Sequence, residues 1–341
     1  MSSSLSEARF DVVGIGNAIV DVVAQTDEAF VRDNALDKGV MTLIDEARAD
    51  DLYALMPPGV EMSGGSAANT IAGVASLGGR AGYIGKVRDD QLGEVFRHDM
   101  RAAGVHFETA AATEGAATGR SLIVVTPDAQ RTMQTFLGAS VDLTPDDVPQ
   151  ELVASSQITY LEGYLWDRPQ AKAAFLRAAD LAHAARRKIA LTLSDPFCVE
   201  RHRAEFVDLV ERHIDVLFAN EHEAMALYET ESFDEALERL RVNCGVVALT
   251  RSEHGSVVTS GDELHVIAAE PVHVVDSTGA GDLYAAGFLY GLTHAFDLAG
   301  CGRLASICAA EVISHFGPRP LVRLSDLVPA APSEQAASEA S

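Results

Sequence analysis

Only four lysines, Lys38, Lys86, Lys172 and Lys188, occur in the 341 residues, and 26 Lys and Arg stand against 50 Asp and Glu, a formal charge of −24. A field of that sign repels a polyanion, which argues against a nucleic-acid binder. Neither GxxxxGKS nor GxxxxGKT occurs, so a P-loop nucleotide hydrolase is excluded. The opening GIGNAI supplies Gly14 and Gly16 of a dinucleotide fingerprint, but its third position is Ile19, and Asp21 arrives far sooner than the acid expected about 20 residues on. A nicotinamide enzyme is thereby disfavoured. No apolar run reaches the roughly 18 residues of a membrane span, the longest uncharged apolar stretch being residues 283–296. The start, MSSSLSEARF, has no basic and apolar leader, and the expectation is a cytoplasmic protein. Cys198, Cys244, Cys301 and Cys308 show no CxxC spacing, the last two lie in an apolar helical stretch, and disulfides are not expected.

What is present is an ordinary globular balance, 48% hydrophobic and 22% charged, long enough for two domains or for one large domain with an insertion. FDVVGIGN reads as a strand buried on both faces, and similar runs recur at residues 81–84, 158–160, 189–193, 216–218 and 246–249. Helical segments lie between most of them, including 171–185, with Phe175, Leu176 and Leu181 on one side, and 233–242, with Leu237 and Leu240. That alternation predicts βαβ units and an α/β fold on a mostly parallel sheet. Residues 18–43 and 118–137 break the pattern with short alternating strands, SLIVVTP and RTMQTF flanking a turn. They are expected to form one small β lid over the active face, surface hairpins being the alternative. The main α/β unit would then take residues 10–17, 44–117 and 138–325. Residues 1–9 and 326–341 would be flexible, the second rich in Ser, Ala and Glu.

Three glycine- or amide-bearing turns carry candidate chemistry. In DSTGAGDLYAAGF, residues 276–288, Gly279, Ala280 and Gly281 have almost no side chain and open the helix expected over 283–296, so their N–H groups can form an anion hole for a phosphoryl group. Asp282, in the first turn, can take the proton of an attacking hydroxyl, or else merely complement the helix dipole. In GGSAANTIAG, Gly64 and Gly65 allow close approach of a ligand, and Asn69 on an apolar helix offers its amide to a sugar hydroxyl or to a partner inside the protein. In ANEHEAMAL, Asn220 and Glu223 are hard oxygen partners for Mg²⁺ or its waters, or alternatively a helix capping box. His222 between them has no second histidine at metal spacing.

At these residues the chain resembles the ribokinase-like, or PfkB, family of carbohydrate and nucleoside kinases. GGSAAN is similar to the first family signature, DSTGAGD to the second, NEHE to its NxxE motif, and ALTRSEHG to its strand and turn near the nucleotide phosphates, all in the family's order between about Asp11 and Pro320. The resemblance implies a three-layer fold with a small β-sheet lid, and ATP and Mg²⁺ as cofactors. It implies Asp282 as base and Gly279, Ala280 and Gly281 as the phosphoryl cradle. Asp21, Gly64, Gly65, Ser66 and Asn69 would bind substrate hydroxyls, Asn220 and Glu223 would order Mg²⁺ through water, and Thr250, Arg251 and Gly255 would lie near the ATP phosphates. Within the family, GNAIVD, LEGYLW, LSDPF and HFGPRP are similar to stretches of the adenosine kinases. That similarity implies Asn17 on the substrate side, Arg131 reaching the phosphates from the lid, and Phe197 against a purine. Asp195 and Pro318 depart from that branch, each replacing a small residue. The resemblance implies transfer of the γ-phosphoryl group to a nucleoside 5′-hydroxyl, or alternatively to ribose, fructose or a related sugar; a ligand-binding protein without catalysis is the reading from another class. The implied partners are small molecules, with neither nucleic acid nor membrane, and the oligomeric state is left open.

Overall fold

The computed structural model describes residues 8–128 and 130–329. In chain order, short 3₁₀ turns aside, the elements are β1 (Phe10–Ile15), β2 (Ile19–Gln25), α1 (Glu28–Asp33), β3 (Met41–Leu43), α2 (Glu46–Leu55), β4 (Val60–Gly64), α3 (Ser66–Ser76), β5 (Ala81–Ile84), α4 (Gln91–Ala102), β6 (His106–Phe107), β7 (Gly119–Val125), β8 (Arg131–Phe136), α5 (Gln150–Ala154), β9 (Ser156–Glu162), α6 (Pro169–Ala184), β10 (Lys188–Thr192), α7 (Pro196–Arg212), β11 (Val216–Asn220), α8 (Glu221–Tyr228), α9 (Phe233–Asn243), β12 (Val246–Thr250), β13 (Ser256–Ser260), β14 (Glu263–Ile267), α10 (Ala280–Thr293) and α11 (Leu298–Ile313).

The large sheet has the order β14-β13-β12-β11-β10-β9-β1-β5-β6, parallel from β12 to β6 and antiparallel at the β12–β13–β14 edge. Its parallel strands are the apolar runs expected from the sequence, buried on both faces because each face carries helices. One core joins Val12, Tyr83, Tyr160 and Phe218 to Ile71 of α3, Leu283 and Phe288 of α10 and Leu304 of α11. The opposite core joins Val13, Leu161, Leu191 and Leu249 to Phe175 of α6, Phe206 of α7 and Leu240 of α9. This is the three-layer α/β arrangement expected. Helix α6 buries its face differently from expectation: Ala171, Ala174, Phe175, Ala178, Ala179 and Ala182 go inside, while Leu176 points outward at 39% exposure, since the alanines let the helix lie close to the sheet. All four cysteines are buried free thiols.

The small sheet has the order β3-β8-β7-β2-β4, with β7 and β8 antiparallel as the hairpin expected. It extends beyond residues 18–43 and 118–137. Residues 60–64 pair antiparallel with β2, and Leu52 of α2 is buried with Val22, Val31, Leu36, Leu122 and Val124 in a small core of its own. Residues 44–64, assigned from the sequence to the main unit, therefore belong with the small sheet; VEMSG carries too little apolar alternation to reveal it. At the N-terminus residues 8 and 9 are tied down, the Ala8 carbonyl accepting from Arg80 Nη1 at 2.8 Å and the Arg9 N–H donating to Ser155 O at 2.8 Å. The rest of the expected flexible leader, 1–7, and most of the tail, 330–341, lie outside the described residues. Among the described residues no helix is long and apolar enough to cross a membrane.

Helix α10 is the hub of the first core: Phe288 is fully buried, meeting Phe218 edge-on with ring centroids 5.5 Å apart. Phe288→Ala should cost about 3–5 kcal/mol of unfolding free energy, read as a lowered denaturant midpoint at an unchanged slope.

Candidate active site

Seven helices begin with an Asp, Asn or Ser whose side chain accepts an N–H of the first turn: Asp27, Asp45, Asp90, Asp195, Asn220, Ser232 and Asp297. Helices α3 and α10 begin instead with Gly65 and Gly279, which make no side-chain cap. Both glycines have positive φ, +95° and +80°, where a side chain is strained, and a Cβ on Gly279 would come within 2.9 Å of Pro318 Cα. At α3 the Glu162 carboxylate takes over, its Oε2 accepting from the Ala67 N–H at 2.8 Å. At α10 the Ala280 N–H turns to Ser277 O at 3.2 Å, whereas the Gly279, Gly281 and Asp282 N–H groups find no acceptor among the described residues. Gly279 and Gly281 of the expected set thus keep open donors, while Asp282 supplies the third in place of Ala280. They remain at a positive helix end.

These two helix starts meet over a cleft of about 780 Å³. It lies at the carboxyl ends of the parallel strands, which contribute Glu162 from β9, Thr192 from β10, Asn220 from β11 and Thr250 from β12, the usual ligand position in an open α/β sheet. The small sheet closes the other side with alternate residues of β2 (Ile19, Asp21), β7 (Ser121, Ile123) and β8 (Met133, Thr135), and with all of β3, Met41, Thr42 and Leu43.

Asp282 is the point of convergence. Its Oδ1 accepts from Ser66 Oγ at 2.6 Å and its Oδ2 from Asn69 Nδ2 at 2.9 Å, so two residues of α3 fix both oxygens. Burial raises its pKa above the ordinary aspartate value, opposed by those two hydrogen bonds and by the positive charge of Arg319. Burial likewise carries Asp21 up to about 7, against the pull of Arg319 and Arg131. Asn69 Oδ1 is buried without a partner, so an internal partner satisfies only half of this amide.

Of the expected site residues, Asn17, Asp21, Gly65, Ser66, Asn69, Phe197, Asn220, Glu223, Thr250, Gly279, Ala280, Gly281 and Asp282 line the cleft. Asn17 does so with its amide already engaged, donating to Glu162 Oε1 at 2.8 Å and accepting from Ser140 Oγ at 2.9 Å. Gly64 stands behind the lining, against the Asp21 carboxylate. Phe197 is 73% exposed on the rim. Arg251 is turned away: its guanidinium lies over the Phe233 ring at 4.3 Å, with Nε 3.5 Å from Glu221, and its N–H donates to Gly255 O across the turn. Arg131 reaches the glycine turn without lining the cleft. Its Nη1 donates to Thr278 Oγ1 at 3.2 Å, and Nη2 is 2.7 Å from Asp276 Oδ2, an ion pair without hydrogen-bond alignment.

Asn220 and Glu223 form the capping box that was the alternative: Glu223 N–H donates to Asn220 Oδ1 at 2.9 Å, and Asn220 N–H to Glu223 Oε2 at 3.0 Å. Burial raises Glu223 to about 7. With inner lone pairs committed to the helix start, this pair fits a hydrated Mg²⁺ held through water. Among the described residues no group of three or more His, Cys, Asp and Glu gathers to hold a metal directly.

Sequence reasoning missed Glu162, Ser140 and the joining role of Asp276. Asp276 Oδ1 accepts from Thr278 Oγ1 at 2.8 Å, and Oδ2 from the Gly317 N–H at 3.0 Å, binding the glycine turn to residues 317–319.

The comparisons with known proteins make the chain a kinase, a phosphotransferase. Residues 40–323 match the model of the pfkB family carbohydrate kinases, and the chain belongs to that family. Among solved structures, the adenosine kinase from Sinorhizobium meliloti is 53% identical at a TM-score of 0.87, covering 98% of this chain and 100% of that one. A probable sugar kinase from Rhizobium etli CFN 42 is 48% identical at a TM-score of 0.88, covering 97% and 99%. The adenosine kinase of Saccharomyces cerevisiae is 27% identical over 334 residues, 90% of this chain and 96% of that protein. Kinases of this family use ATP.

One buried acid and one glycine give measurable outcomes. Glu162 is raised to about 7 by burial, so between its ordinary 4.5 and 7 the folded protein keeps a proton that the unfolded chain has lost, and stability falls as pH rises through that window. Glu162→Gln should shrink the loss of unfolding free energy between about pH 5 and about pH 8 by about 2–3 kcal/mol, measured by denaturant titration at both ends. Gly279→Ala should lower turnover by about 10-fold or more, because the new Cβ pushes residue 318 and the helix start apart; unchanged kinetics would remove the case for a glycine there.

Proposed function

We propose that the protein transfers the γ-phosphoryl group of ATP to the 5′-hydroxyl of a nucleoside, adenosine first, giving AMP and ADP. The observation that carries the transfer is the Asp282 carboxylate held by Ser66 and Asn69 beside the open N–H groups at the start of α10. In this reading Asp282 accepts the hydroxyl proton as the alcohol oxygen bonds to phosphorus and the bond from phosphorus to the ADP oxygen breaks. The Gly279, Gly281 and Asp282 N–H groups hold the transferring oxygens, and α10's dipole favours their charge. Asn220 and Glu223 would hold Mg²⁺ through water, and the ion would screen the phosphate charge. Arg131 stands by on the small sheet, next to Thr278.

Adenosine is favoured by the 53% identity, along the whole chain, to the adenosine kinase from Sinorhizobium meliloti. The apolar side chains that the small sheet puts on the cleft suit a nucleobase better than a free sugar. The sugar-kinase reading is supported by the 48% identity to the probable sugar kinase from Rhizobium etli. A panel of adenosine, inosine, ribose and fructose with ATP separates the two: turnover of ribose or fructose with none of adenosine overturns the first. With the acceptor so identified, Asp282→Asn should lower kcat by at least about 10²-fold while KM stays within a few-fold, since the lost group acts on the proton in flight. Near-normal kcat would refute its role as base.

A further inference from the structure

The residues 317–319 touch three parts of the site at once. The Gly317 N–H donates to Asp276 Oδ2 at 3.0 Å, Pro318 abuts Gly279, and Arg319 reaches across to the corner between β4 and α3. There Arg319 Nη1 donates to Ala68 O at 2.9 Å, Nη2 to Ser63 O at 3.2 Å and Ser63 Oγ at 3.1 Å, and Nε to Ser63 O at 3.3 Å. Ser63 and Ala68 bracket the Gly64–Gly65 turn and Ser66, and Asn69 follows directly. The guanidinium therefore grips the segment whose side chains hold Asp282. Its hydrogen bonds go to two carbonyls, one hydroxyl and the Met100 sulfur at 3.6 Å, and to no carboxylate among the described residues.

A half-buried guanidinium without a paired carboxylate is a charge available to more than one neighbour. The charged and titratable groups facing it are Asp21 from β2, Tyr83 from β5, Asp99 from α4 and Asp282 from α10. Asp99 is committed elsewhere, its Oδ2 accepting from the Ser63 N–H at 2.9 Å. Tyr83 is a buried phenol without a hydrogen-bond partner, held neutral by burial. Asp21 and Asp282 remain, and both line the cleft.

We propose that Arg319 is a positioning residue for phosphoryl transfer: it fixes the β4–α3 corner that carries Ser66 and Asn69, and it is the shared counter-charge of Asp21 and Asp282. This rests on the reading of Asp282 as the accepting base. Burial lowers the guanidinium to about 10, so it stays charged at neutral pH, and its field lowers both aspartates against the burial that raises them. A neutral side chain at 319 leaves those acids protonated to higher pH, where Asp282 cannot accept a proton.

The test compares Arg319→Met with Arg319→Lys. With ATP and the acceptor the wild type turns over, Arg319→Met should move the acidic limb of the kcat/KM profile up by about one pH unit, lower kcat near pH 7 by about 10- to 100-fold, and recover in part by about pH 9. Arg319→Lys keeps the charge and loses the fork, so its limb should stay within about 0.3 unit of wild type while kcat falls by less. Thermal unfolding without substrate gives a second readout: Arg319→Met should lose more melting temperature between about pH 5 and about pH 8 than Arg319→Lys, because raising the folded-state pKa of buried acids steepens that decline. If Arg319→Met does not fold, Arg319→Gln, neutral but still a donor to Ser63 and Ala68, takes its place; if neither folds, the limb of Arg319→Lys decides. A wild-type limb in the neutral variant, or a limb displaced equally in Arg319→Lys, overturns the proposal. Absence of turnover with every acceptor strikes the proposed function instead, and the unfolding profiles still judge Arg319.

Discussion

The bond between Asp282 and the first turn of α3 is the constraint around which the molecule is arranged. For a carboxylate on α10 to meet Ser66 and Asn69, two helices more than 200 residues apart in sequence must start at one place, side by side, with their N-termini free of the usual caps. Glycine at both starts meets that requirement by placing backbone where a capping side chain would stand. The packing below follows: Gly73 and Ile71 of α3 lie against Leu283 and Ala286 of α10 in one core, so small residues let the axes approach. Any shift of either axis by an ångström would break both hydrogen bonds to Asp282.

The charge of the cleft sets a second constraint. Asp21, Glu162, Asp167, Asp195, Glu223 and Asp282 line it, against Arg201, which is itself paired with Asp167 at 3.2 Å. Burial, with repulsion from a neighbouring acid added, pushes Asp21, Glu162 and Glu223 up to about 7, so they hold protons where exposed acids would not. A phosphate donor entering such a place would need positive charge, which the end of α10 and the arginines at its margin could supply. Glu162 uses its charge inward, on Asn17 and on the start of α3, which keeps that helix end from competing for the phosphoryl group.

Most of this was legible where the chemistry is local. The glycine turns, the acid one residue past TGAG and the capping spacing of Asn220 and Glu223 all lie within a few residues, because the geometry of a helix start is written in its first turn. The buried strands were legible for a similar reason, as runs of apolar residues. What escaped notice joins distant positions: Glu162 to Asn17 across 145 residues, Arg131 to Thr278 across 147, Arg319 to Ala68 across 251. No periodicity marks such partners. Arg251 misled for the converse reason, since it sits next to a cleft residue, Thr250, while its side chain finds the Phe233 ring on the other side. The place of β4 in the small sheet was hidden because that strand is short, polar and exposed at its first residue, Val60 at 60%.

The choice of acceptor is governed by a different part of the molecule from the transfer itself. In the proposed transfer the α10 turn and α3 would meet only the hydroxyl and the phosphoryl group. The small sheet sees the remainder of the acceptor, and the two-residue period of its strands decides what it offers: Ile19, Met41, Leu43, Ile123 and Met133 on the cleft, with Val22, Leu122 and Val124 turned to its own core. A free pentose would leave those side chains facing water, with its hydroxyls short of partners. A flat ring would cover them at roughly 25 cal/mol for each Å² removed from water, with Ser121, Thr135 and Phe197 on the same cleft. The lining positions come from four strands, and in β2 and β7 a one-residue slip would exchange cleft-facing for core-facing side chains. On the proposed function, specificity would depend on strand register, and catalysis on helix starts.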